Sequence, residues 1–227
     1  MQTKQILTAF RYGAVVAGVV AVCETAAADR IPLTIEFPPP LSMGTPVEVN
    51  VPNLEPTGVA QRRAPVMVPE NTINLARNKT VTSSDEWPII GELEYLTDGI
   101  KEGDEGYYVE LGPGLQWVQI DLEKPSELHA VAVWHFFSQD RAYHDVIIQT
   151  SNDPSFETGV KTHFNNDHDN SAGMGVGKDL AYVETERGRV VPVGGVVARY
   201  VRLYSHGNTA NQMNHYIEVE VYGVPAE

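Results

Sequence analysis

The sequence has very little cysteine: Cys23 is the only one in 227 residues. It lies near the N-terminus, directly after Val22. A bacterial lipoprotein signal also ends in a cysteine, which carries the lipid, but it prefers a small residue before that cysteine, and valine is a poor fit. If the N-terminal segment is removed, no disulfide and no thiol nucleophile remains. The mature protein must then be stabilised by its core or by a bound ion.

The N-terminal segment has the composition of a secretory signal peptide. The first eleven residues carry two basic side chains, Lys4 and Arg11. An apolar run follows at 12–22, and small residues follow at 26–28. This run is shorter than the ~20 residues that a membrane-spanning helix needs, so a membrane anchor is the less favoured alternative. We predict that residues 1–28 are removed and that the mature chain is exported to the periplasm or the extracellular space.

Positive charge is scarce. The chain has 16 Lys and Arg against 30 Asp and Glu, a net charge of −14, and loss of the signal peptide removes two basic residues and one acidic residue. The mature surface would repel phosphate backbones and anionic lipids, which excludes nucleic acid as a partner and argues against membrane insertion. Neutral polysaccharides and divalent cations remain compatible with this charge.

Long apolar stripes with a helical period are also missing. Instead, short β-rich runs are separated by Gly, Asn, Asp and Pro. In 117–122, Val118, Ile120 and Leu122 alternate with polar residues, and in 216–222 the glutamates alternate with apolar residues in the same way. The pattern predicts an all-β fold, a sandwich or jelly roll with long loops.

Proline marks a separate segment before this β-rich region. Residues 29–70 contain short alternating runs at 33–37 and 47–51, but the surrounding prolines restrict such runs to edge strands or extended chain. Two interpretations remain open. The segment is an extended leader that docks strands onto the main body, or it is a flexible spacer.

The order of several motifs carries a family resemblance. NLARNKTVTSS opens the β-rich region, YLTDGI follows, and WVQIDLEKPSELHAVAVW, YHDVIIQTSND, ARYVRLYSHGN and HYIEVEVYG come in that order. This arrangement over residues 71–224 resembles the discoidin, or coagulation factor 5/8 type C, family, whose bacterial members include family 32-like carbohydrate-binding modules. The resemblance implies a galactose-binding-like jelly-roll β-sandwich with adjacent N- and C-terminal strands.

The resemblance also implies a structural calcium ion near the paired termini. Its side-chain ligands would be Asp98, in a turn that Gly99 makes possible, and Glu218 in the closing strand. The sequence after Asp98 is longer than usual in the family, and Asp104 could replace one of the remaining ligands. The alternative is that Asp98 only forms the turn and Glu218 is an exposed strand residue.

The polar stretch FNNDHDNSAGMGVGKD, residues 164–179, is a second candidate for a metal site. Read as an EF-hand loop from Asp167, it has Lys178 at the twelfth position, where a bidentate glutamate is required. His163 and His168 supply only two nitrogens for zinc. The loop therefore either hydrogen-bonds a sugar or braces itself through Asx-turns. The residues concerned are Asn165, Asn166, Asp167 and Asp169.

Sugar recognition needs an aromatic face and planar polar groups on loops at one rim of the sandwich. By their place in the loops, five residues are candidates: Trp87, His135, Arg141, Asn208 and Asn211. Each also has an ordinary structural explanation, such as packing for the tryptophan or an ion pair for the arginine.

The leading functional prediction is a secreted, non-catalytic carbohydrate-binding module with a structural calcium ion. The alternative is a cell-surface or periplasmic protein-interaction or adhesion module that uses the same loops. An enzyme is not favoured, because the sequence has no Gly-x-Ser-x-Gly, His-Glu-x-x-His or phosphate-loop motif. No pair of carboxylates is singled out for glycosidase chemistry.

Overall fold

A computed structural model describes residues 29–41, 45, 47–56, 58–59, 63–103 and 106–226. The signal-peptide prediction for 1–28 and the possible metal ligand Asp104 lie outside these described residues. In the part of the chain that the structure describes, no helix has the length and apolar character needed to cross a membrane.

The predicted all-β class is confirmed. The described residues form ten strands and one 3-10 segment, Leu93–Thr97, and contain no α-helix. The strands are β1 (Arg30–Pro32), β2 (Met67–Pro69), β3 (Ile73–Asn74), β4 (Val81–Ser83), β5 (Val109–Leu111), β6 (Gln116–His135), β7 (Ile147–Ser151), β8 (Lys161–Asn165), β9 (Arg189–Ser205) and β10 (Asn214–Val224).

All strand pairs of the main sheet are antiparallel, in the order β3-β10-β6-β9-β7-β8, with β4 paired to β6 and β5 to β10. The pairing between the two longest strands, β6 and β9, has irregular register near the middle of both strands. Residues 116–121 of β6 pair with 200–205 of β9, and 130–133 pair with 189–192. Bulges of this kind bend a sheet. Apolar side chains from both halves of β6 meet in one core cluster, so the bent sheet encloses the core of a β-sandwich.

The alternation in β6 has the predicted effect: Val118 and Ile120 have no exposed surface and point into the main core. The pattern fails in β10. A register shift between Tyr216 and Glu218 turns Ile217 to the opposite side of the sheet from Val219. The alternative in which Glu218 is an exposed strand residue is wrong, because Glu218 and the nearby Glu220 are 0% and 6% exposed.

The leader explains this burial. β1 pairs with β2 to form a small two-stranded sheet. Leucine, isoleucine and valine side chains of the leader, among them Leu33 and Val66, pack on a second apolar cluster that contains Trp134, Ile217 and Tyr222. The described leader segments are therefore docked on the outer face of the sheet, the first of the two arrangements considered from the sequence.

One buried lysine ties the leader to this face. Lys101 donates a hydrogen bond to the carbonyl of Glu36 over 2.8 Å and forms an ion pair with Glu220 at 2.8 Å. Its ammonium group also lies 4.6 Å from the ring centroid of Trp134. A cation that is 8% exposed needs such partners, because burial without them is costly.

Candidate functional site

Three loops, residues 84–90, 137–146 and 206–213, meet at one end of the sheet. β4 ends beside the start of β6, and the starts of β6 and β7 both pair with the end of β9. The loop between β7 and β8 lies at the opposite end. Sites in sandwiches are commonly built from such clustered loops, so this end is where we describe the candidate site.

A cavity of about 230 Å³ lies beside two of these loops, 137–146 and 206–213. Its polar lining comes from four parts of the chain: Asn53 in the leader, the residues before β7, the long segment after β8, and the residue that follows β9. No Lys or Arg is among the described residues that line the cavity. The polar lining residues are Asn53, Tyr143, His144, Asp145, Asn166, His168, Asp169, Ser171 and His206.

Acidic groups dominate one side of the cavity. One carboxylate oxygen from each of Asp145, Asp167 and Asp169 lies within 4.8 Å of the others. Asp145 accepts a hydrogen bond from the Ser171 hydroxyl at 2.7 Å, and its Oδ2 lies 2.9 Å from Nδ1 of His206. These contacts fix Asp145 before any ligand binds.

The loop at 164–179 is largely stabilised by hydrogen bonds from its own polar side chains. Asp167 accepts hydrogen bonds from the amides of Ser171 and Ala172, both at 3.0 Å. Asn165 accepts one from the amide of Asp167 at 2.9 Å and donates one to the carbonyl of Gly175 at 3.0 Å. Most of the amide and carboxylate groups that suggested a ligand-holding loop thus stabilise its turns.

Asn166 differs from its neighbours. It is 3% exposed and its Oδ1 accepts a hydrogen bond from the amide of Val146 at 2.7 Å, but its Nδ2 has no partner. Because the oxygen is fixed by a donor, the free group is the N–H₂ end. A buried amide nitrogen without a partner is uncommon, and here it belongs to a residue that lines the cavity.

The leader forms another wall of the same cavity, through Val51, Pro52 and Asn53. Asn53 Nδ2 donates to the carbonyl of Asn166 at 2.9 Å, and the carbonyl of Asn53 accepts from the amide of Ala181 at 3.0 Å. Val51 packs in a small apolar cluster with Ala142 and Ala181. The leader therefore contributes directly to the site.

Burial and charge act together on His144. Desolvation lowers its pKa, the neighbouring carboxylate of Asp145 acts in the opposite direction, and His206 and His168 lower it further. The imidazole of His144 is therefore neutral near pH 7. It can then both donate and accept a hydrogen bond.

Two of the predicted sugar-binding residues, His135 and Arg141, lie beneath the surface. His135 is 0% exposed, its Nδ1 is 2.7 Å from Glu184 Oε1, and its ring stacks on Tyr143 with centroids 4.4 Å apart. Arg141 is 4% exposed, and its guanidinium lies 4.6 Å from the ring centroid of Phe136. Neither side chain reaches the rim where a surface ligand would contact it.

The two predicted asparagines have local structural contacts. Asn208 is 6% exposed and donates to Asn211 Oδ1 at 2.8 Å and to the carbonyl of Met213 at 2.9 Å. It forms a backbone bridge with Tyr143, so Asn208, Arg141 and His135 converge around this tyrosine. They form a buried layer below the loops. Asn211 is exposed.

Trp87 is apart from this group. It is 83% exposed and lines a separate depression with Glu86, Glu92 and Glu94. Its loop follows β4, so it lies at the same end of the sheet as the cavity. An indole with this exposure presents an apolar face to solvent, as a sugar-stacking platform requires.

The predicted metal ligands lie close together. The amide of Gly99, the residue after Asp98, donates to Glu218 Oε2 at 3.1 Å. Asp98 accepts hydrogen bonds from the amide of Ile100 at 2.8 Å and from the hydroxyl of Tyr107 at 2.7 Å. The Asp98 carboxylate and burial raise the pKa of Tyr107 to about 12. The first turn and the last strand are thus adjacent.

Glu218 is the most perturbed group of this pair. Burial, opposed by the Gly99 amide, raises its pKa to about 9, and the charges of Glu220 and Asp98 act in the same direction as burial. Its Oε1 is buried without a partner. Gly99 has a φ of +79°, a conformation that strains any residue with a Cβ, and the guanidinium of Arg77 would also have to move to make room for one.

The cavity residues that the sequence analysis did not predict all lie next to the end of a strand. His144 and Asp145 stand just before β7 and His206 stands just after β9, and these strand ends are paired. Polar residues at strand boundaries are common, so only the pairing of β7 with β9 could have shown that these three converge.

No protein-family model matches the sequence, and no curated protein matches it. The chain is similar in fold to carbohydrate-binding modules among the solved structures. One is the CBM32 of AlyQ in complex with 4,5-unsaturated mannuronic acid, with 18% identity, a TM-score of 0.46, and coverage of 63% of this chain and 92% of that chain. Its family is the one that the sequence motifs resemble.

Two further structures are similar. One is a mutant form of chitosan-binding module 1 from a chitosanase/glucanase of Paenibacillus sp. IK-5, with 23% identity, a TM-score of 0.47, and coverage of 66% of this chain and 98% of that chain. The other is a Streptococcus pneumoniae fucose-binding module, SpX-3, with 18% identity, a TM-score of 0.47, and coverage of 66% and 97%.

Proposed function

We propose that this protein is an exported, non-catalytic carbohydrate-binding module and that the cavity at the loop end is its ligand site. The observation that carries the proposal is the unpartnered Nδ2 of Asn166, a residue that lines the cavity together with the fixed carboxylate of Asp145. A sugar hydroxyl can donate to a carboxylate and accept from an amide N–H, so a sugar satisfies both kinds of group.

The shape of the cavity supports this ligand class. Its volume of about 230 Å³ is below the roughly 300–1,000 Å³ of pockets for drug-sized ligands. We therefore expect it to hold one sugar unit of a longer chain. The leader residues Val51 and Pro52 offer an apolar wall for the non-polar face of a pyranose ring.

Binding is favoured over catalysis because the carboxylates are already held in place. Asp167 accepts from two backbone amides, and Asp145 contacts both Ser171 and His206. Groups fixed in this way serve to orient a ligand.

Glycan-array binding followed by calorimetry tests the proposal. We expect His168→Ala, at an exposed cavity residue, to weaken binding at least about tenfold, or by about 1.4 kcal/mol. The matched control is Asn152→Ala, an exposed position at the opposite end of the sheet, which should bind as the wild type does. Equal affinity of all three proteins would reject the cavity as the site. Capture of one protein from envelope extracts, insensitive to free sugars, would instead support the adhesion alternative.

We also propose that Asp98 and Glu218 hold a structural calcium ion. The donor set fits, because both side chains are carboxylates and Glu218 has a buried oxygen without a partner. Bound calcium would supply the positive charge that a buried, ionised Glu218 lacks. The Gly99 amide and the Tyr107 hydroxyl would orient the two carboxylates.

Export of the mature chain is the third part of the proposal and follows from the N-terminal composition. N-terminal sequencing of the protein from the periplasmic or culture fraction should begin at Asp29. Recovery of the uncleaved chain in the membrane fraction would support an anchor instead.

A further inference from the structure

We propose that the cavity selects a sugar unit that carries a free amine, as in a glucosamine-containing glycan, over neutral and anionic sugars. This inference rests on the proposed function and specifies the ligand class of the same site. It uses two independent features of the cavity, its charge and its unpartnered donor.

The charge of the cavity is acidic. Asp145 and Asp169 line it, a carboxylate oxygen of Asp167 lies within 4.8 Å of both, and the described lining contains no Lys or Arg. An ammonium group gains from such a field, whereas the carboxylate of a uronic acid is repelled by it. A neutral sugar gains neither benefit nor penalty from charge.

The hydrogen-bonding pattern matches an amino sugar. Carboxylates only accept hydrogen bonds, and an ammonium group donates three. The free Nδ2 of Asn166 needs an acceptor, which a ring or hydroxyl oxygen of the same sugar provides. A bare metal ion would satisfy Asp145 and Asp169 but would leave the amide of Asn166 without a partner.

The hydrogen bonds that Asp145 and Asp169 already make leave each carboxylate able to contact an ammonium group. The Oδ2 atom of Asp145 carries both its contacts, to Ser171 and His206. Asp169 is exposed, and its Oδ1 accepts from the amide of Ser171 at 3.1 Å. None of these contacts uses the second oxygen of Asp145 or Asp169, so that oxygen can accept a hydrogen bond from a ligand. Changing Asp169 to asparagine keeps the Oδ1 acceptor, removes the charge and replaces the second oxygen, which would accept from the ammonium group, with an NH₂ donor.

Calorimetry on the mature chain tests this inference with three probes: a glucosamine tetramer, its fully N-acetylated form and a mannuronate oligomer. The buffer contains EGTA and about 0.15 M salt, which screens long-range attraction to the acidic surface. We expect the amine form to bind at least about tenfold more tightly than the acetylated form. The mannuronate oligomer should bind most weakly.

Asp169→Asn should bring the two glucosamine-derived probes to within about threefold of each other while the acetylated probe keeps its affinity. The matched control, Glu157→Gln, removes a charge from an exposed loop at the opposite end and should keep the full preference. Loss of the preference in both variants would show attraction to the overall charge, which would overturn the inference.

The remaining outcomes separate this inference from the proposed function. Equal binding of the amine and acetylated probes by the wild type would overturn the amine preference and leave a carbohydrate-binding module. Binding that requires added Ca²⁺ or Mn²⁺ and disappears in EGTA, in the Glu218→Gln variant as well as in the wild type, would assign the cavity carboxylates to a metal and overturn the inference. A folded protein that binds no glycan at all would reject both.

Discussion

The carboxylate of Glu218 accepts a hydrogen bond from the backbone amide of Gly99 over 3.1 Å, although 119 residues of chain separate them. This contact joins the turn after the 3-10 segment to the closing strand. The Glu218 carboxylate is completely buried, and its other oxygen, Oε1, has no hydrogen-bond partner. The contact therefore links the stability of the fold to the charge state of one side chain.

The first prediction concerns pH and calcium. The folded-state pKa of Glu218 is about 9, above the ordinary 4.5, so between these values the folded chain holds a proton that the unfolded chain releases. In chelator, the free energy of unfolding should therefore fall as pH rises through this window, by at most about 1.4 kcal/mol per pH unit. Calcium binds the ionised form, so its stabilising effect should grow over the same window. At a hundred times its Kd, it should add about 2.7 kcal/mol.

Thermal melts from pH 5 to 9, with and without calcium, measure both effects. Glu218→Gln is the control, because glutamine resembles the protonated side chain. The variant should lose this component of the pH dependence and the calcium response together. A wild-type melting temperature that calcium leaves unchanged at pH 8 would argue against the ion.

The second prediction separates structural from ligand-binding histidines. His135→Ala leaves Glu184 as a buried carboxylate without its partner, so it should cost about 3–5 kcal/mol of folding free energy. His168→Ala changes an exposed cavity residue, so it should weaken sugar binding and leave the melting temperature unchanged. Denaturant unfolding and calorimetry on both variants provide the test. A stable His135→Ala protein with weakened binding would restore His135 to the ligand site.

The third prediction concerns the leader wall. Asn53→Ala removes the hydrogen bond to the carbonyl of Asn166, which helps to fix the cavity. We expect several-fold weaker sugar binding and a loss of about 1 kcal/mol of stability, the usual value for one hydrogen bond. Asn152→Ala, which removes a hydrogen bond to the carbonyl of Val197 on the surface, is the matched control. Unchanged affinity in Asn53→Ala would mean that the leader only covers the sheet.

The fourth prediction concerns the exposed indole. Trp87 lies at the loop end but lines a different depression from the cavity, so it can contact only a ligand longer than one sugar unit. Trp87→Ala should leave the affinity for a monosaccharide unchanged and weaken retention on a polysaccharide gel several-fold. Loss of monosaccharide binding would move the primary site to Trp87.

The sequence predicted those features that depend on local pattern. The alternation of Val118 and Ile120 placed both in the core, and the motif order placed Asp98 and Glu218 at one point of the fold. The burial of Glu220 was not predictable from its strand, because the leader that covers it is far away in the sequence.

The sugar-binding residues show the same limit. His135 ends β6 and Arg141 lies in the loop that follows it, but the segment after the 164–179 loop covers both side chains. The amide of Glu184 donates to the carbonyl of Arg141, and its carboxylate pairs with His135. The position of a residue in a loop does not show which other segment of the chain covers its side chain. Asn166, His168 and Asp169 were candidates from the sequence, but His144, Asp145 and His206 were not, because their convergence depends on the pairing of β7 with β9.

The docking of Leu33 against Ile217 and Tyr222 also constrains the order of events during synthesis. A ribosome releases the leader first, yet the surface that receives it is complete only after the last strand has emerged. Most contacts in this protein are similarly distant along the chain, which slows folding. The leader therefore closes over the sheet as a late step, and until then the apolar face around Trp134 stays open to water and to other chains.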